Sequence, residues 1–327
     1  MGSGKVLVTG GAGYIGSHCC KALARAGFEP VVFDNLTTGH RDLVRWGDLV
    51  EGDIRDRTAL NAAFADHKPV AVMHFAALSL VGQSVTDPAP YWDVNIGGSL
   101  NILNAMRAHE VPAIVFSSTA AVYGDTDVAL IGEDQPKRPT SPYGTTKLAV
   151  ETMMDQFDTA YGLKSARLRY FNACGADGDC ETGEDHTPET HLIPLVLDVA
   201  LGRRAEIAVF GSDYPTPDGT AIRDYIHVED LASAHLAALN HLLDGGSTCA
   251  ANLGTGQGAS VAEIIAAAEK AVGKPVARRM ADRRAGDPAR LVADPALAAK
   301  LFGWKAQASS MDRILTDAWA WHRKRFG

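Results

Sequence analysis

The residues best suited to chemistry are Tyr143 and Lys147, one helical turn apart in Ser141-Pro142-Tyr143-Gly144-Thr145-Thr146-Lys147. A nearby cation favours phenolate and draws a tyrosine below its ordinary pKa of about 10, so such a pair can act as a general base near neutral pH. Lysine is rarely buried without a partner. Yet Lys147 falls on a stripe with Val150, Met154, Phe157 and Tyr161, at steps of three and four, that is otherwise apolar. The bland alternative is a core tyrosine beside a snorkelling lysine. With eight tyrosines in the chain, Tyr-x-x-x-Lys arises readily by chance, and it gains meaning only beside a cofactor.

Ser141 is a good N-cap and Pro142 suits the first helical position, so the spacing predicts a helix that starts here and carries both residues. Far upstream, Lys5-Val6-Leu7-Val8-Thr9 reads as a buried strand. It runs into Gly10-Gly11-Ala12-Gly13-Tyr14-Ile15-Gly16, and a helical pattern follows to Ala26. Strand, glycine turn and helix in that order are the context of a dinucleotide fingerprint, with the pyrophosphate on the helix N-terminus. Asp34 ends the next strand, where a carboxylate binds the adenosine ribose hydroxyls and repels a 2′-phosphate, which favours NAD over NADP. Asp53 and Ile54 follow a third strand. His74-Phe75-Ala76-Ala77 ends a fourth, with small residues against which a cofactor can lie.

Further apolar runs at Ala113–Ser118 and Ala166–Phe171 alternate with helical segments at Asn95–His109 and after Tyr143. This rhythm predicts an α/β protein with a doubly wound parallel Rossmann sheet covered on both faces. It changes after Asn172: residues 175–190 have no hydrophobic period and read as a long loop, and the remainder as a smaller mixed α/β C-terminal substrate domain. The expected division is a cofactor domain over 1–171 and a sugar-nucleotide domain over 172–327, with segments interleaving.

The 327 residues carry a net charge of −8, which argues against nucleic-acid binding. There is no apolar run of membrane length. Five cysteines without metal spacing point to reduced thiols and a cytoplasmic protein. Glu184, Asp185, His186 and His191 share one loop but no recognised ligand spacing, so no metal is expected.

With the glycine turn, Asp34, Tyr143 and Lys147 in place, the chain resembles the extended short-chain dehydrogenase/reductase family, and within it the UDP-glucose 4-epimerases. The resemblance spans essentially the whole chain. It rests further on Val50-Glu51-Gly52-Asp53-Ile54-Arg55, Arg169-Tyr170-Phe171-Asn172, Asp213-Tyr214-Pro215-Thr216 and Ile222-Arg223-Asp224-Tyr225-Ile226-His227-Val228. It implies epimerisation at C4 of a UDP-hexose, UDP-galactose/UDP-glucose, through a transient 4-keto sugar and enzyme-bound NADH. NAD would stay tightly bound and be regenerated each cycle. Tyr143 would take the proton from the sugar 4-hydroxyl, Thr119 would hydrogen-bond the 4-oxygen, and Lys147 would hold the nicotinamide ribose.

Position by position, the resemblance implies cofactor contacts at Gly10, Gly13, Tyr14, Ile15, Gly16, Asp34, Asn35, Leu36, Thr37, Asp53, Ile54, Phe75, Ala76, Ala77, Asn95, Ser117, Tyr143, Lys147 and Phe171. For the UDP-sugar it implies Thr119, Tyr143, Asn172, His191, Leu192, Phe210, Arg223, Arg284 and Asp287, and it implies a homodimer. Four positions depart from the usual pattern. Thr119 stands where serine is common, Ser79 where lysine is, and His191 where asparagine is. Leu291 stands where a larger or smaller residue gates the sugar 2-substituent. UDP-N-acetylglucosamine and UDP-pentose 4-epimerisation therefore stay open as alternatives. Thr119 is followed by Ala120-Ala121, which lack the acid–base pair that a nucleotide-sugar dehydratase needs. A non-catalytic NAD-binding regulator would be expected to lose Tyr143, Lys147 or Thr119.

Overall fold

A computed structural model describes residues 3–283 and 287–327. The first half alternates strands and helices except between its second and third strands, which are joined by a loop with a short 3-10 turn at Arg41–Leu43: β1 (Lys5–Thr9), α1 (Tyr14–Arg25), β2 (Glu29–Asp34), β3 (Asp48–Glu51), α2 (Arg57–His67) and β4 (Ala71–His74). Two short helices, α3 (Val81–Thr86) and α4 (Ala89–Tyr91), lead into a π-helical segment, Trp92–Gly98, and α5 (Ser99–Ala108). Then come β5 (Ala113–Thr119), α6 (Pro142–Tyr161) and β6 (Lys164–Tyr170).

The second half begins with β7 (Asn172–Cys174), α7 (Leu192–Leu201), β8 (Ile207–Phe210), β9 (Ile222–Arg223) and β10 (Tyr225–His227). It continues with α8 (Val228–Leu243), β11 (Cys249–Leu253), β12 (Ala259–Ser260) and α9 (Val261–Val272). The last elements are β13 (Arg278–Ala281), β14 (Arg290–Leu291), α10 (Ala296–Phe302) and α11 (Met311–Phe326).

Seven strands form one sheet in the order β11-β6-β5-β4-β1-β2-β3, parallel at every pairing. Alternate side chains sort to opposite faces, as strand geometry requires. Val6 and Val8 join α1 and α8 residues such as Leu23, Leu231 and Leu239 in one core. Leu7 joins Phe64, Ile102, Val150 and Met154 of α2, α5 and α6 in the other. A third core, with Val196, Val209, Ile264 and Leu315, holds the smaller C-terminal part together. The chain returns from that part to lay β11 beside β6 and α8 against α1, so residues 228–253 belong spatially with the first half.

Ser141 caps α6 by accepting from the Gly144 N–H at 3.2 Å, with Pro142 in the first turn. Lys147, Val150 and Met154 of the expected stripe are buried, whereas Tyr161 is exposed at the helix end. The helix expected over Asn95–His109 differs in its first turns, which are π-helical. The buried Asn95 side chain explains the wider turn: it accepts from the Leu78 N–H at 2.9 Å and donates to the Leu78 carbonyl and the Thr146 hydroxyl, each at 3.1 Å. Such π turns gather at functional sites. The 175–190 segment lacks regular helix or strand, as expected, but it is pinned by charge. The buried Lys21 ammonium contacts Asp177 at 2.7 Å, Asp179 at 3.0 Å and Glu181 at 2.6 Å. Among the described residues no helix is long and apolar enough to cross a membrane.

Candidate active site

The glycine turn sits at the carboxyl end of β1. Gly10 adopts φ +77°, which favours glycine, and a Cβ there would fall 2.5 Å from the Ala76 amide nitrogen. At Gly16 a Cβ would fall 2.2 Å from the Gly10 carbonyl oxygen, so α1 can pack this close only without a side chain. Gly13 differs. Its nearest neighbour would be the Gly10 carbonyl at 3.4 Å, ordinary contact at its edge, so packing does not demand a glycine there. The approach it leaves open, at the N-cap of α1, is where the fingerprint brings a pyrophosphate against bare backbone. The residues therefore fit a dinucleotide.

Asp34 closes β2 and is nearly buried. One carboxylate oxygen accepts from the Ala12 N–H at 3.0 Å, the other from the Leu36 N–H at 2.8 Å. Burial pushes its pKa up, against these two amides. A carboxylate accepts more bonds than these two, so acceptor capacity remains for a ribose diol. Leu36 takes φ +56° to turn the chain here. Asn35 donates to Asp53 at 3.0 Å and caps the Thr37 N–H at 3.1 Å. Arg55, at 2.8 Å, holds the Asp53 carboxyl well below its ordinary range. Ile54 is buried against Gly98, where a Cβ would come within 2.4 Å of it. Phe75, Ala76 and Ala77 follow β4, with the Phe75 and Ala76 amides donating to the Thr9 carbonyl at 2.8 and 3.0 Å. Partly buried Ile15 packs beside the α1 core. Buried Tyr14 donates to the Gly175 carbonyl at 2.6 Å, linking the glycine turn to the second half.

At the carboxyl ends of β5 and β6 the structure brings Ser117, Thr119, Tyr143 and Lys147 together. The Lys147 ammonium donates to the Ser117 carbonyl at 2.9 Å and lies 4.7 Å from the Phe116 ring centroid and 5.9 Å from that of Tyr143. The Tyr143 amide donates to Ser84 Oγ of α3 at 3.2 Å, which helps fix the start of α6. Thr119 accepts from the Ala121 N–H at 3.1 Å.

Burial pushes the Tyr143 phenol up to about 12, with the Thr119 hydroxyl pulling it down. The same burial brings Lys147 down to about 7, with Glu151 opposing. The expected depression of the tyrosine by Lys147 is thus not a property of the polypeptide alone, because desolvation works against both charged forms at once.

That shift has a measurable consequence. A lysine whose folded value lies below its unfolded value of about 10.4 binds fewer protons folded than unfolded between the two. Its stabilising contribution is present above the unfolded value and is lost as pH falls through about 7. Urea unfolding of the cofactor-stripped chain should therefore gain stability from pH 7 to 9 more steeply than Lys147→Met does. Equal slopes would show Lys147 fully charged throughout.

The remaining positions expected to meet the sugar nucleotide fall in the second half of the chain. Asn172 opens β7, its amide donating to the Asp224 carbonyl at 3.1 Å. His191 is the N-cap residue of α7 and Leu192 its first residue. Phe210 ends β8. Phe171 and Leu291 pack against Val122, Tyr123 and Ile131. Arg223 pairs with Asp287 and donates to the Ile222 carbonyl at 2.8 Å, so two expected substrate residues are each other's partner. Arg284 lies outside the described residues.

Some contacts around the site were not foreseen from the sequence. Tyr170 shares a short hydrogen bond with Ser117 Oγ. Buried His74 bridges Thr9 Oγ1 at 2.7 Å and Ser99 Oγ at 2.9 Å. Glu151 and Arg169 form a buried ion pair under α6. Glu151, one turn past Lys147 on the core-facing side, carried the same signal that drew attention to the lysine.

The model of the NAD dependent epimerase/dehydratase family matches residues 6–254. The chain is similar to the UDP-glucose 4-epimerase of Rhizobium meliloti (strain 1021), 49% identical over 325 residues, or 99% of each chain. Among solved structures it resembles UDP-glucose 4-epimerase from Brucella ovis in complex with NAD, with 51% identity, TM-score 0.95, and coverage of 97% of this chain and 98% of that one. It also resembles UDP-glucose-4-epimerase from Stenotrophomonas maltophila with bound NAD and formylated UDP-arabinopyranose, at 44% identity, TM-score 0.95 and 98% of each chain. On the span of that family match and the near-complete overlap with these relatives, the chain belongs to the NAD dependent epimerase/dehydratase family.

Proposed function

We propose that the chain catalyses NAD-dependent epimerisation at C4 of a UDP-hexose, interconverting UDP-galactose and UDP-glucose. One observation carries this reading beyond the cofactor. Thr119, Tyr143 and Lys147 converge at the ends of β5 and α6, while the positions after Thr119 are Ala120 and Ala121. Neither of the two positions after Thr119 thus carries an acid or base to drive elimination. The named relatives support the same chemistry.

Tyr143 takes the proton from the sugar 4-hydroxyl and returns it when the sugar is reduced on its other face. Thr119 holds the 4-oxygen, and Lys147, anchored on the Ser117 carbonyl, reaches the ribose beside the reacting carbon. Bound NAD supplies a reversible two-electron acceptor and a positively charged ring that favours the Tyr143 phenolate. Asp34, Asn35 and Asp53 orient its adenosine end, and Gly13 and Tyr14 its pyrophosphate. Residues 172–327, without the returning α8 and β11, hold the UDP-sugar. Asp287 aligns Arg223, whose remaining donors face the diphosphate. Asn172, Leu192 and Phe210 border the sugar nucleotide, with His191 heading α7.

The purified protein, with no cofactor added, should interconvert UDP-galactose and UDP-glucose when NMR follows this pair beside the N-acetylhexosamine and pentose pairs. Net accumulation of reduced cofactor, or no turnover of any pair, would overturn the proposal. Faster turnover of another pair would reassign the sugar and make Leu291, beside Phe171, the first residue to exchange.

The protein is proposed to act as a homodimer. Val85 of α3, Trp92, Leu100 of α5 and Tyr161 of α6 are exposed large apolar residues at 61%, 46%, 38% and 53%, and α5 packs on α6. Sedimentation should give twice the chain mass, and Leu100→Glu should shift it toward monomer. A monomeric native protein would refute this. All five cysteines are unpaired, which supports a cytoplasmic setting.

A further inference from the structure

The 175–190 loop contains two clusters of charged side chains. In the first, Asp177, Asp179 and Glu181 converge on the Lys21 ammonium, which supplies their cation. The second, Glu184, His186, Glu189 and His191, includes no lysine or arginine, and among the described residues its only positive partners are its own two imidazoles.

We propose that Glu184, His186, Glu189 and His191 bind one divalent first-row transition cation, with Zn2+ the ordinary occupant of such a nitrogen–oxygen donor set. The geometry fits. One ligand atom from each residue lies within 4.8 Å of all the others. His191 Nδ1 is 2.7 Å from Glu184 Oε1 and 3.1 Å from Glu189 Oε1, and His186 Nδ1 is 3.2 Å from Glu184 Oε1 and 3.6 Å from Glu189 Oε2. Ligands at about 2.0–2.1 Å around a tetrahedral zinc sit about 3.4 Å apart along each edge, and these separations straddle that value.

An independent observation points the same way. Glu184 is only 6% exposed, yet its Oε1 makes no hydrogen bond, and neither does the buried His186 Nδ1. The two imidazole Nδ1 atoms are close to this oxygen but not in donating geometry toward it, and His191 Nδ1 is bonded to Glu189 Oε1 at 3.1 Å instead. A buried carboxylate oxygen without a donor is costly, and a cation here would relieve that cost for Glu184 and give His186 Nδ1 a partner. The same ion would tie parts of the site to each other. His186 packs edge-on against Tyr14 of the glycine turn, with ring centroids 6.1 Å apart, and His191 heads α7. This inference does not depend on which sugar the enzyme uses.

The test uses the cofactor-loaded protein, purified without metal-affinity resin, equilibrated with Zn2+ and dialysed against metal-free buffer. Elemental analysis should find one zinc per chain, removable by a strong chelator, and saturating Zn2+ should raise the unfolding temperature. Co2+ in its place should give the intense visible absorption of a tetrahedral site. His186→Asn should weaken Zn2+ binding by about 100-fold or more, since even indirect partners of metal ligands cost 10–100-fold. Glu184→Gln should do the same, and the partly exposed His186 keeps the test open if the buried change impairs folding. No zinc above background, or equal binding by native protein and His186→Asn, would overturn the site and leave a cluster of ion pairs only.

Discussion

Replacing Tyr143 with phenylalanine should lower turnover by about 10²–10⁴-fold, the usual contribution of a positioned general acid–base group, while the cofactor stays bound. The substitution removes one oxygen and keeps the ring against Lys147, whose ammonium lies 5.9 Å from its centroid. The turn at Gly10–Gly16 and the Asp34 carboxylate do not depend on that oxygen, so cofactor released on denaturing the variant should match the native amount. Substrate affinity should change little, because the lost interaction is with a proton in flight, so the defect falls on kcat. Thr119 cannot substitute as base. Its hydroxyl ionises far above any working pH, and its oxygen already accepts from the Ala121 amide. Near-native activity in Tyr143→Phe would remove Tyr143 from the proton path and send the search to Tyr170, which shares a hydrogen bond with Ser117.

The parts of this site that could be read in the sequence are those whose geometry is local. A strand, a glycine turn and a helix N-terminus are contiguous, so the turn is legible within seven residues, although the contact that demands glycine at Gly10 comes from Ala76, and Asp34 needs only one more strand. The Ser141 cap and Pro142 fix the start of α6 in the same way. What escaped depends on distant partners. The placement of β11 beside β6 joins residues far apart in sequence, and no period within residues 249–253 announces it. The π-helical turn at Trp92–Gly98 comes from the Asn95 side chain reaching Leu78 and Thr146, a tertiary contact that overrides an ordinary helical pattern. The balance of charge between Tyr143 and Lys147 was only partly legible for a related reason: pair spacing reveals attraction, but the opposing desolvation depends on everything packed around it. The loop clusters are the extreme case. Glu184, His186, Glu189 and His191 match no ligand spacing, and only the folded loop shows their atoms converging.

Arg169→Met should destabilise the protein by about 3–5 kcal/mol, the usual cost of leaving one member of a buried ion pair unpartnered. Arg169 donates to Glu151 through Nε at 2.9 Å and Nη2 at 2.5 Å, and through Nη1 to the Tyr123 hydroxyl at 2.8 Å. Both charged side chains are 4% exposed. Ser118 Oγ also donates to Glu151 at 2.5 Å, but one hydroxyl does not neutralise a buried carboxylate. Tyr123 donates onward to Asn252 of β11 at 2.7 Å, so the network clamps α6, β5, β6 and the returning strand at one point. A loss of that size is a large share of the 5–15 kcal/mol that ordinarily separates folded from unfolded domains. Urea unfolding should show it as a lower midpoint with an unchanged slope. Combining Glu151→Met with Arg169→Met should recover most of the loss, since removing both charges removes the buried, unpaired one. Catalysis should report the same clamp. Glu151 favours the charged form of Lys147, so the double variant should fold yet need a lower pH to keep Lys147 protonated, moving the alkaline limb of the turnover profile downward. A single variant that loses less than about 1 kcal/mol, the range of a solvent-exposed ion pair, would show that Glu151 is neutralised by something other than Arg169.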